Sequence, residues 1–163
     1  MEVYLKSDIG LVRSSNQDAC KCGIFPDRSV WAVVCDGMGG ANGGNVASEV
    51  AVETVSGLLE KNYKETLTDD QTVDLLTSIV QKANSKLYKM QKKDASLRGM
   101  GTTIELALIR DGAAHIVHAG DSRVYSIRGN KIKLGNQIEL EGFKYRVQGV
   151  VADIKAADDA AAK

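Results

Sequence analysis

Residues 30–40 read VWAVVCDGMGG, an unbroken apolar run that ends in one carboxylate followed by a cluster of glycines. A continuous apolar run of this kind predicts a strand covered on both faces, which ends where Asp36 begins. Glycine lacks a Cβ and adopts positive φ at little cost, so the backbone after Asp36 can approach an ion or a phosphate closely. Two interpretations fit this segment alone: a metal or phosphate site, and a glycine-rich turn beside an ordinary solvated aspartate.

The composition is that of one globular domain. The chain has 163 residues, of which 44% are apolar, and this is sufficient for one substantial core. Lys and Arg total 21, as do Asp and Glu, so the formal net charge is zero. Such a balance does not indicate binding to nucleic acid or to an anionic membrane surface. An anionic substrate would therefore have to be captured by a few well-placed side chains.

The chain start and the cysteines bear on cellular location. No basic stretch leads into an apolar one at the start, and no segment approaches the roughly eighteen apolar residues of a membrane-spanning helix. We therefore expect a cytoplasmic protein. Cys20, Cys22 and Cys35 lack the spacing of a zinc site, and we expect reduced thiols that pack in or near the core.

Hydrophobic periodicity predicts two neighbouring helices between two groups of strands. The first helix covers 44–61, where apolar residues recur at spacings of three and four. The second begins near Thr68, because Thr68 and Gln71 form a capping-box pattern. Strand-like segments lie at 3–7, 19–24, 30–35, 102–110, 113–119, 122–128 and 131–134. This order favours an α+β layer fold with antiparallel sheets.

Two further segments place a carboxylate beside a glycine or a polar turn. Between residues 10 and 18, Arg13 offers a planar guanidinium that matches phosphate oxygens, and Asp18 follows in the same polar stretch. Asp121 comes directly after a predicted strand and a glycine. Asp18, Asp36 and Asp121 thus all lie at predicted strand ends, and hard oxygen ligands of this kind suit Mg²⁺ or Mn²⁺.

Four motifs follow one another over residues 1 to about 134. They are Val12-Arg13 with Asn16-Gln17-Asp18, Asp36-Gly37-Met38-Gly39-Gly40 with Ala47-Ser48, Gly99-Met100-Gly101-Thr102-Thr103, and Gly120-Asp121-Ser122-Arg123-Val124-Tyr125. In order and spacing they resemble the metal-dependent protein serine/threonine phosphatases of the 2C type, particularly the bacterial members. The resemblance implies a two-sheet antiparallel β-sandwich flanked by helices, with two or more Mn²⁺ or Mg²⁺ ions in a cleft at one end of the sheets.

The resemblance also implies a role for each matching site residue. Asp36 would bridge two metal ions, and Gly37 would offer its carbonyl oxygen to one of them. Arg13 would hold the substrate phosphate, and Asp18 would hydrogen-bond a metal-bound water. Asp121 would lie near an additional metal ion. In such a mechanism water attacks phosphorus directly, so no covalent intermediate with the enzyme is formed.

The residues around this centre match the family less uniformly. Thr102 and Thr103 match, and they would mainly support the cleft. Met38 stands where many eukaryotic relatives carry a histidine proposed as the general acid, although bacterial relatives often share methionine. Gln17 stands where many relatives have a glutamate that contacts metal through water. A neutral glutamine would make the protein charge around that metal ion less negative than it is in those relatives.

The C-terminal segment has a different composition. Residues 135–163 contain neither an Asp-Gly nor an Asp-Asn motif of the kind that supplies two further metal-binding aspartates in the family. Residues 138–147 predict a small hairpin that turns near Gly142, and an alanine-rich tail begins at Ala152. We therefore divide the chain into a 2C-like catalytic portion, residues 1–134, and an unrecognised hairpin plus tail, residues 135–163. The C-terminal side of the family's fold is expected to be incomplete.

The leading hypothesis is metal-dependent hydrolysis of phosphoserine and phosphothreonine in proteins by a metal-activated water. Phosphorylated proteins would be the partners, including a Ser/Thr kinase or its targets, and neither nucleic acid nor membrane would be involved. The alternative is a catalytically impaired family remnant, or a truncated or engineered fragment, that acts as a binding module or scaffold. The sequence does not indicate an oligomeric state.

Overall fold

The computed structural model of the chain describes residues 2–38, 43–134 and 145–149. Within these ranges the strands are β1 (Asp18–Ile24), β2 (Val30–Met38), β3 (Gly101–Thr102), β4 (Ile104–Arg110), β5 (Ala113–Ala119), β6 (Tyr125–Arg128), β7 (Lys131–Leu134) and β8 (Tyr145–Gly149). The helices are α1 (Gly44–Asn62) and α2 (Asp69–Lys93), and a short 3₁₀ helix follows at Ala95–Leu97. A helical pair thus separates two groups of strands in sequence, and the predicted α+β class is confirmed.

Six strands form the larger sheet. Its order is β1-β2-β4-β5-β8, with β3 pairing to β2, while β6 and β7 form a second, two-stranded sheet. The pairs β1–β2, β2–β4, β4–β5 and β6–β7 are all antiparallel, so the expected antiparallel sheets are confirmed for these strands. The exception is β8, which runs parallel to β5.

Several local strand predictions differ from the structure. The strand predicted to end before Asp36 continues to Met38, and the strand predicted over 122–128 begins only at Tyr125. The segment 3–7 is not a strand, and it is mostly exposed because its apolar residues find no partner strand within the described chain. The hairpin predicted to turn near Gly142 is described only in part. Its first arm lies outside the described residues, and its second arm forms β8, whose partner is the distant β5. Turn residues cannot indicate such a non-local pairing.

Both helices pack on one face of the larger sheet. The capping box predicted for α2 is present: the Gln71 N–H donates to Thr68 Oγ1 at 3.2 Å, and the Thr68 N–H donates to Gln71 Oε1 at 3.0 Å. These bonds satisfy two backbone amides that would otherwise lack partners at the helix start. None of the helices in the described ranges combines the length and the apolar character needed to cross a lipid bilayer.

The larger sheet is covered by helices on one side only within the described residues. Val33 and Cys35 of β2 have no exposed surface, whereas Val34 between them is 43% exposed. The prediction that β2 is covered on both faces is therefore wrong here, because an apolar run without alternation does not reveal which face is covered. The core cluster includes Trp31, Val33, Cys35, Ala47, Ala51, Val55, Leu59, Leu76, Ile79, Leu106, Leu108 and Val117.

The three cysteines are free thiols, as expected. Cys35 is buried in the core, and this burial raises the pKa of its thiol to about 12. A thiol with such a pKa stays protonated and unreactive at neutral pH. Cys20 and Cys22 are half-buried in β1.

Glu105 is an unusual residue on the sheet face opposite the helices. It lies in β4 between Val34 of β2 and His118 of β5. Only 6% of Glu105 is exposed, and neither carboxylate oxygen has a hydrogen-bond partner in the described structure. The Nδ1 atom of His118 lies 3.9 Å from Glu105 Oε1. Burial raises the pKa of the Glu105 carboxyl to about 7, so this group holds a proton that it would lose in the unfolded chain.

We predict that Glu105→Gln removes a pH-dependent part of the stability. The folded-state pKa of about 7 exceeds the ordinary value of 4.5, so the folded chain binds this proton more tightly than the unfolded chain does. The stabilising contribution is full below about pH 4.5 and is lost as the pH rises through about 7. Urea titrations should therefore show that the unfolding free energy of the wild type, minus that of Glu105→Gln, falls across this range. A difference that does not change with pH would contradict the burial of this carboxyl.

Candidate metal and phosphate site

Strand register brings the predicted site residues to one end of the larger sheet. Asp18 is the first residue of β1 and pairs directly with Asp36 of β2. On the other side of β2, the Thr103 N–H donates to the Asp36 carbonyl at 2.9 Å. Because β5 is antiparallel to β4, the end of β5 and the following Asp121 return to the same end of the sheet. The carboxylates of Asp18, Asp36 and Asp121, which are distant in sequence, therefore lie at the same end of the sheet.

One backbone carbonyl joins the elements around the site. The Gln17 carbonyl accepts a hydrogen bond from the Gly37 N–H at 3.1 Å and from Ser48 Oγ at 2.6 Å. Ser48 belongs to α1 and is fully buried. These two bonds tie the start of β1, the end of β2 and the first turns of α1 together. The loop that carries Arg13 and Asp18 is thereby anchored against the core.

Gly37 is required at its position by close packing. A Cβ at Gly37 would overlap the carbonyl oxygen of Gly44 and would lie 2.5 Å from the carbonyl oxygen of Gln17. Both obstacles are backbone atoms, which cannot move aside as a side chain can. A glycine after Asp36 therefore serves the junction between β2 and α1. The same absence of a side chain leaves the Gly37 backbone at the cleft wall.

Two threonines hold the backbone of Asp36, in agreement with the expected supporting role. Thr103 Oγ1 accepts the Asp36 N–H at 3.0 Å, and Thr102 Oγ1 donates to the Asp36 carbonyl at 3.0 Å. Because both backbone groups of Asp36 are satisfied by these neighbours, the carboxylate is not needed for local hydrogen bonds to its own chain. It remains available to the cleft.

The surroundings of Asp36 raise the pKa of its carboxyl. Asp36 is exposed at the rim of the sheet, and partial loss of hydration there is the largest cause of a raised pKa for its carboxyl. The charge of Asp18, a hydrogen bond with Asp18 and the charge of Asp121 raise this pKa further, while the Arg13 guanidinium lowers it. The four side chains therefore form one electrostatic unit in which three acids face a single cation. A bound dication would relieve the repulsion between the acids.

The paired carboxylates open into a polar cleft of about 250 Å³. It is lined by Asp8, Ile9, Arg13, Ser15, Asn16, Gln17, Asp18, Asp36 and Gly37. Of the residues predicted for the site, Arg13, Asp18, Asp36 and Gly37 meet here. Asp121 lies at the same sheet end without lining the cleft. Met38, half exposed, follows at the end of β2 and offers no titratable proton.

The cleft has a donor set that fits a hard divalent cation. Two carboxylates on neighbouring strands and nearby backbone carbonyls are the oxygen ligands that Mg²⁺ and Mn²⁺ prefer. Among residues 2–38, 43–134 and 145–149, however, no group of three His, Cys, Asp or Glu side chains is arranged to hold one ion. Asp18 and Asp36 are thus the directly paired carboxylates of the described cleft, with Asp8 elsewhere in its lining and Asp121 outside it.

Sequence reasoning gave no role to Ser48, although it belongs to the second motif, and did not identify Asp8. Ser48 anchors the Arg13 loop, and its signal was a hydroxyl within the apolar stripe of α1, where Ala47 and Ala51 are buried on either side. Asp8 lines the cleft from the N-terminal segment. The sequence carries no signal for Asp8, because the segment around it has no regular secondary structure whose register could place it.

Paired carboxylates beside an arginine, at the end of an α+β sheet, define a site of the kind that binds divalent cations and phosphate groups. Residues 12–136 match the family described as protein phosphatase 2C. The chain belongs to this family, as its sequence motifs predict.

Relatives and solved structures agree with this assignment. The chain is 33% identical over 131 residues to protein phosphatase PhpP of Streptococcus pneumoniae, an alignment that covers 80% of this chain and 52% of PhpP. The crystal structure of serine/threonine phosphatase Stp1 from Staphylococcus aureus superposes with a TM-score of 0.70 at 30% identity, over 78% of this chain and 49% of that one. The catalytic domain of the phosphatase PstP, in complex with two manganese ions, gives a TM-score of 0.66 at 30% identity, over 79% and 52%. The chain spans about half the length of the curated relatives that it matches.

We predict that Ser48→Ala destabilises the fold more than Ser56→Ala does. Both serines are buried in α1, but Ser48 bonds the Gln17 carbonyl across elements, whereas Ser56 Oγ reaches only Glu53 of its own helix, at 3.4 Å. Removing the Ser48 hydroxyl should cost about 1–2 kcal/mol of unfolding free energy, because the partly buried Gln17 carbonyl loses the shorter of its two hydrogen bonds. Urea denaturation of both variants measures the difference. Equal losses would contradict the anchoring role.

Proposed function

We propose that this chain hydrolyses phosphoserine and phosphothreonine in proteins with the aid of Mn²⁺ or Mg²⁺. The observation that carries the proposal is the pairing of Asp18 with Asp36 beside Arg13 in one cleft. Carboxylates supply hard ligands for a cation, and a guanidinium binds phosphate oxygens. One cleft therefore offers partners for both the cation and the substrate anion, in a member of the 2C family.

The residues at this end of the sheet would hold two or more divalent ions. Asp36 would contact two ions, the Gly37 carbonyl would serve one of them, and Asp18 and Asp121 would complete the protein's share of the ligands. Bound divalent ions lower the pKa of water and neutralise negative charge on a phosphoryl group. A relative, the catalytic domain of PstP, was crystallised with two manganese ions.

The remaining tasks fall to side chains of this chain. Arg13 would bind the substrate phosphate through its planar guanidinium and fix its orientation in the cleft. Asp18 would accept a hydrogen bond from the attacking water and direct it toward phosphorus. Because Met38 carries no proton to donate, the departing serine or threonine oxygen would take its proton from solvent.

We also propose that the phosphatase-like portion is 1–134 and that 135–163 lies outside it in sequence, although its residues 145–149 join the larger sheet as β8. The family match covers residues 12–136, and its end lies within a few residues of the proposed boundary at 134, which it supports. Phosphorylated proteins, including a Ser/Thr kinase or its targets, are the proposed partners. A formal net charge of zero gives no support for nucleic acid as an alternative partner.

Binding of phosphorylated proteins without hydrolysis is the second candidate function. It is favoured by the small ligand set of the described residues, in which Asp18 and Asp36 are the only carboxylates of the cleft besides Asp8. Arg13 can bind a phosphate without any ion. Turnover of a phosphopeptide separates the two candidates, because only a phosphatase would release inorganic phosphate from the peptide.

We predict that Asp36→Asn abolishes metal-dependent turnover of a phosphothreonine peptide. The substitution keeps the size of the side chain but removes the charge that would hold the ions, so the rate with Mn²⁺ should fall by about 100-fold or more. The matched control is Asp74→Asn, which changes an exposed acid on α2 far from the cleft. Phosphate release is measured with and without chelator, and thermal melting checks that both variants fold.

Each outcome of this experiment decides between the candidates. Chelator-sensitive release by the wild type and Asp74→Asn, lost in Asp36→Asn, supports the phosphatase. Peptide binding without release, weakened by Arg13→Ala, supports the binding module. Release that is equal in the wild type and Asp36→Asn would refute the proposed site.

A further inference from the structure

The turn after β5 packs against a single residue next to Asp36. Gly120 has a φ of 105°, a conformation that favours glycine, and a Cβ there would lie 2.7 Å from Thr103 Cγ2. Only a glycine can bring the backbone this close to Thr103. The turn that carries Asp121 is therefore seated on Thr103.

A hydroxyl contact fixes the same turn from its other side. Ser122 Oγ lies 2.6 Å from Thr103 Oγ1, although the two residues are 19 positions apart in sequence. Thr103 is only 1% exposed, and Ser122 is half-buried, so water competes little for this hydrogen bond. Gly120 and Ser122 thus hold Asp121 between two contacts with one threonine.

Thr103 is also hydrogen-bonded to the backbone of Asp36. Its Oγ1 accepts the Asp36 N–H at 3.0 Å while it contacts Ser122, and its own N–H donates to the Asp36 carbonyl at 2.9 Å. Since Oγ1 accepts from Asp36, its hydroxyl proton is free to point toward Ser122, and the Ser122 hydroxyl can also donate. In either arrangement an unbroken chain of hydrogen bonds joins Ser122, Thr103 and Asp36.

We propose that Ser122 is a positioning residue that acts through Thr103 to hold Asp121 at a fixed distance from Asp36, so that both carboxylates can serve the same group of divalent ions. This inference rests on the proposed function for its purpose, but the hydrogen-bond chain exists without any ion. Ser122 itself contacts neither the cleft nor the proposed metal ligands in any described hydrogen bond. Its effect is therefore indirect.

The test compares four variants of the full chain. Ser122→Ala removes one end of the hydrogen-bond chain, and Thr103→Val removes its middle. Thr103→Ser restores the hydroxyl and is the conservative rescue. Ser126→Ala in β6 is the matched control, because that residue pairs with Lys133 through its backbone and its hydroxyl takes part in none of the side-chain hydrogen bonds of the described residues. Thermal melting of every variant identifies any general loss of stability.

The first readout is amide hydrogen exchange of Asp36 in the metal-free chain. We expect exchange to be about 10-fold faster in Thr103→Val, which removes the acceptor, and faster by a smaller factor in Ser122→Ala. Thr103→Ser and Ser126→Ala should match the wild type. The second readout is Mn²⁺ binding by calorimetry, where Ser122→Ala and Thr103→Val should weaken the Kd by about 10-fold and the other two variants should not.

These readouts separate the inference from the proposed function. If the wild type binds Mn²⁺ and Ser122→Ala binds it equally well with unchanged Asp36 exchange, the positioning role is overturned. Losses of affinity that merely follow melting temperature across all variants, Ser126→Ala included, overturn it too. If the wild type binds no Mn²⁺, the proposed function fails, and the exchange rate of Asp36 in Ser122→Ala alone decides whether the hydrogen-bond chain exists.

Discussion

The antiparallel pairing of β1 with β2 is the constraint on which the site depends. This register sets Asp18 opposite Asp36, and a slip by one residue would turn one of the two carboxylates to the helix side of the sheet. The Gln17 carbonyl reinforces the register, because it accepts donors from β2 and from α1 at once. Core packing therefore determines the spacing of charged groups at the surface.

This arrangement places like charges together at a cost to the folded chain. Partial desolvation and two neighbouring acids raise the pKa of the exposed Asp36 carboxyl, and Arg13 is the cation that opposes them. In a cation-binding site, the repulsion between the acids destabilises the metal-free protein. A bound cation is attracted by all of these acids and removes their repulsion. The loop before β1 places Arg13 in the lining of the same cleft, where its guanidinium can bind an anion. One strand pairing thus brings two carboxylates to the cleft that Arg13 also lines.

Local features of the fold were predictable from the sequence, whereas features that depend on distant partners were not. The capping box of Thr68 involves residues three apart, and it is present. The covering of β2 was predicted wrongly, because an apolar run does not show which face meets the helices, and Val34 is exposed. The parallel partner of β8 has no local signal either. For the site, motif order indicated residues that the structure brings to one end of the sheet, but only the register shows that Asp18 and Asp36 are direct neighbours while Asp121 lies beside the cleft.

The most direct test of the central claim is an NMR titration of the metal-free chain with Mn²⁺, since this paramagnetic ion broadens only the resonances near it. The amides of Asp18, Asp36 and Gly37 should broaden first and to saturation. The amide of Asp111, in the turn between β4 and β5 at the opposite end of the sheet, should persist. Broadening centred elsewhere, or no saturable broadening at all, would contradict the claim that the Asp18–Asp36 pair is a metal site.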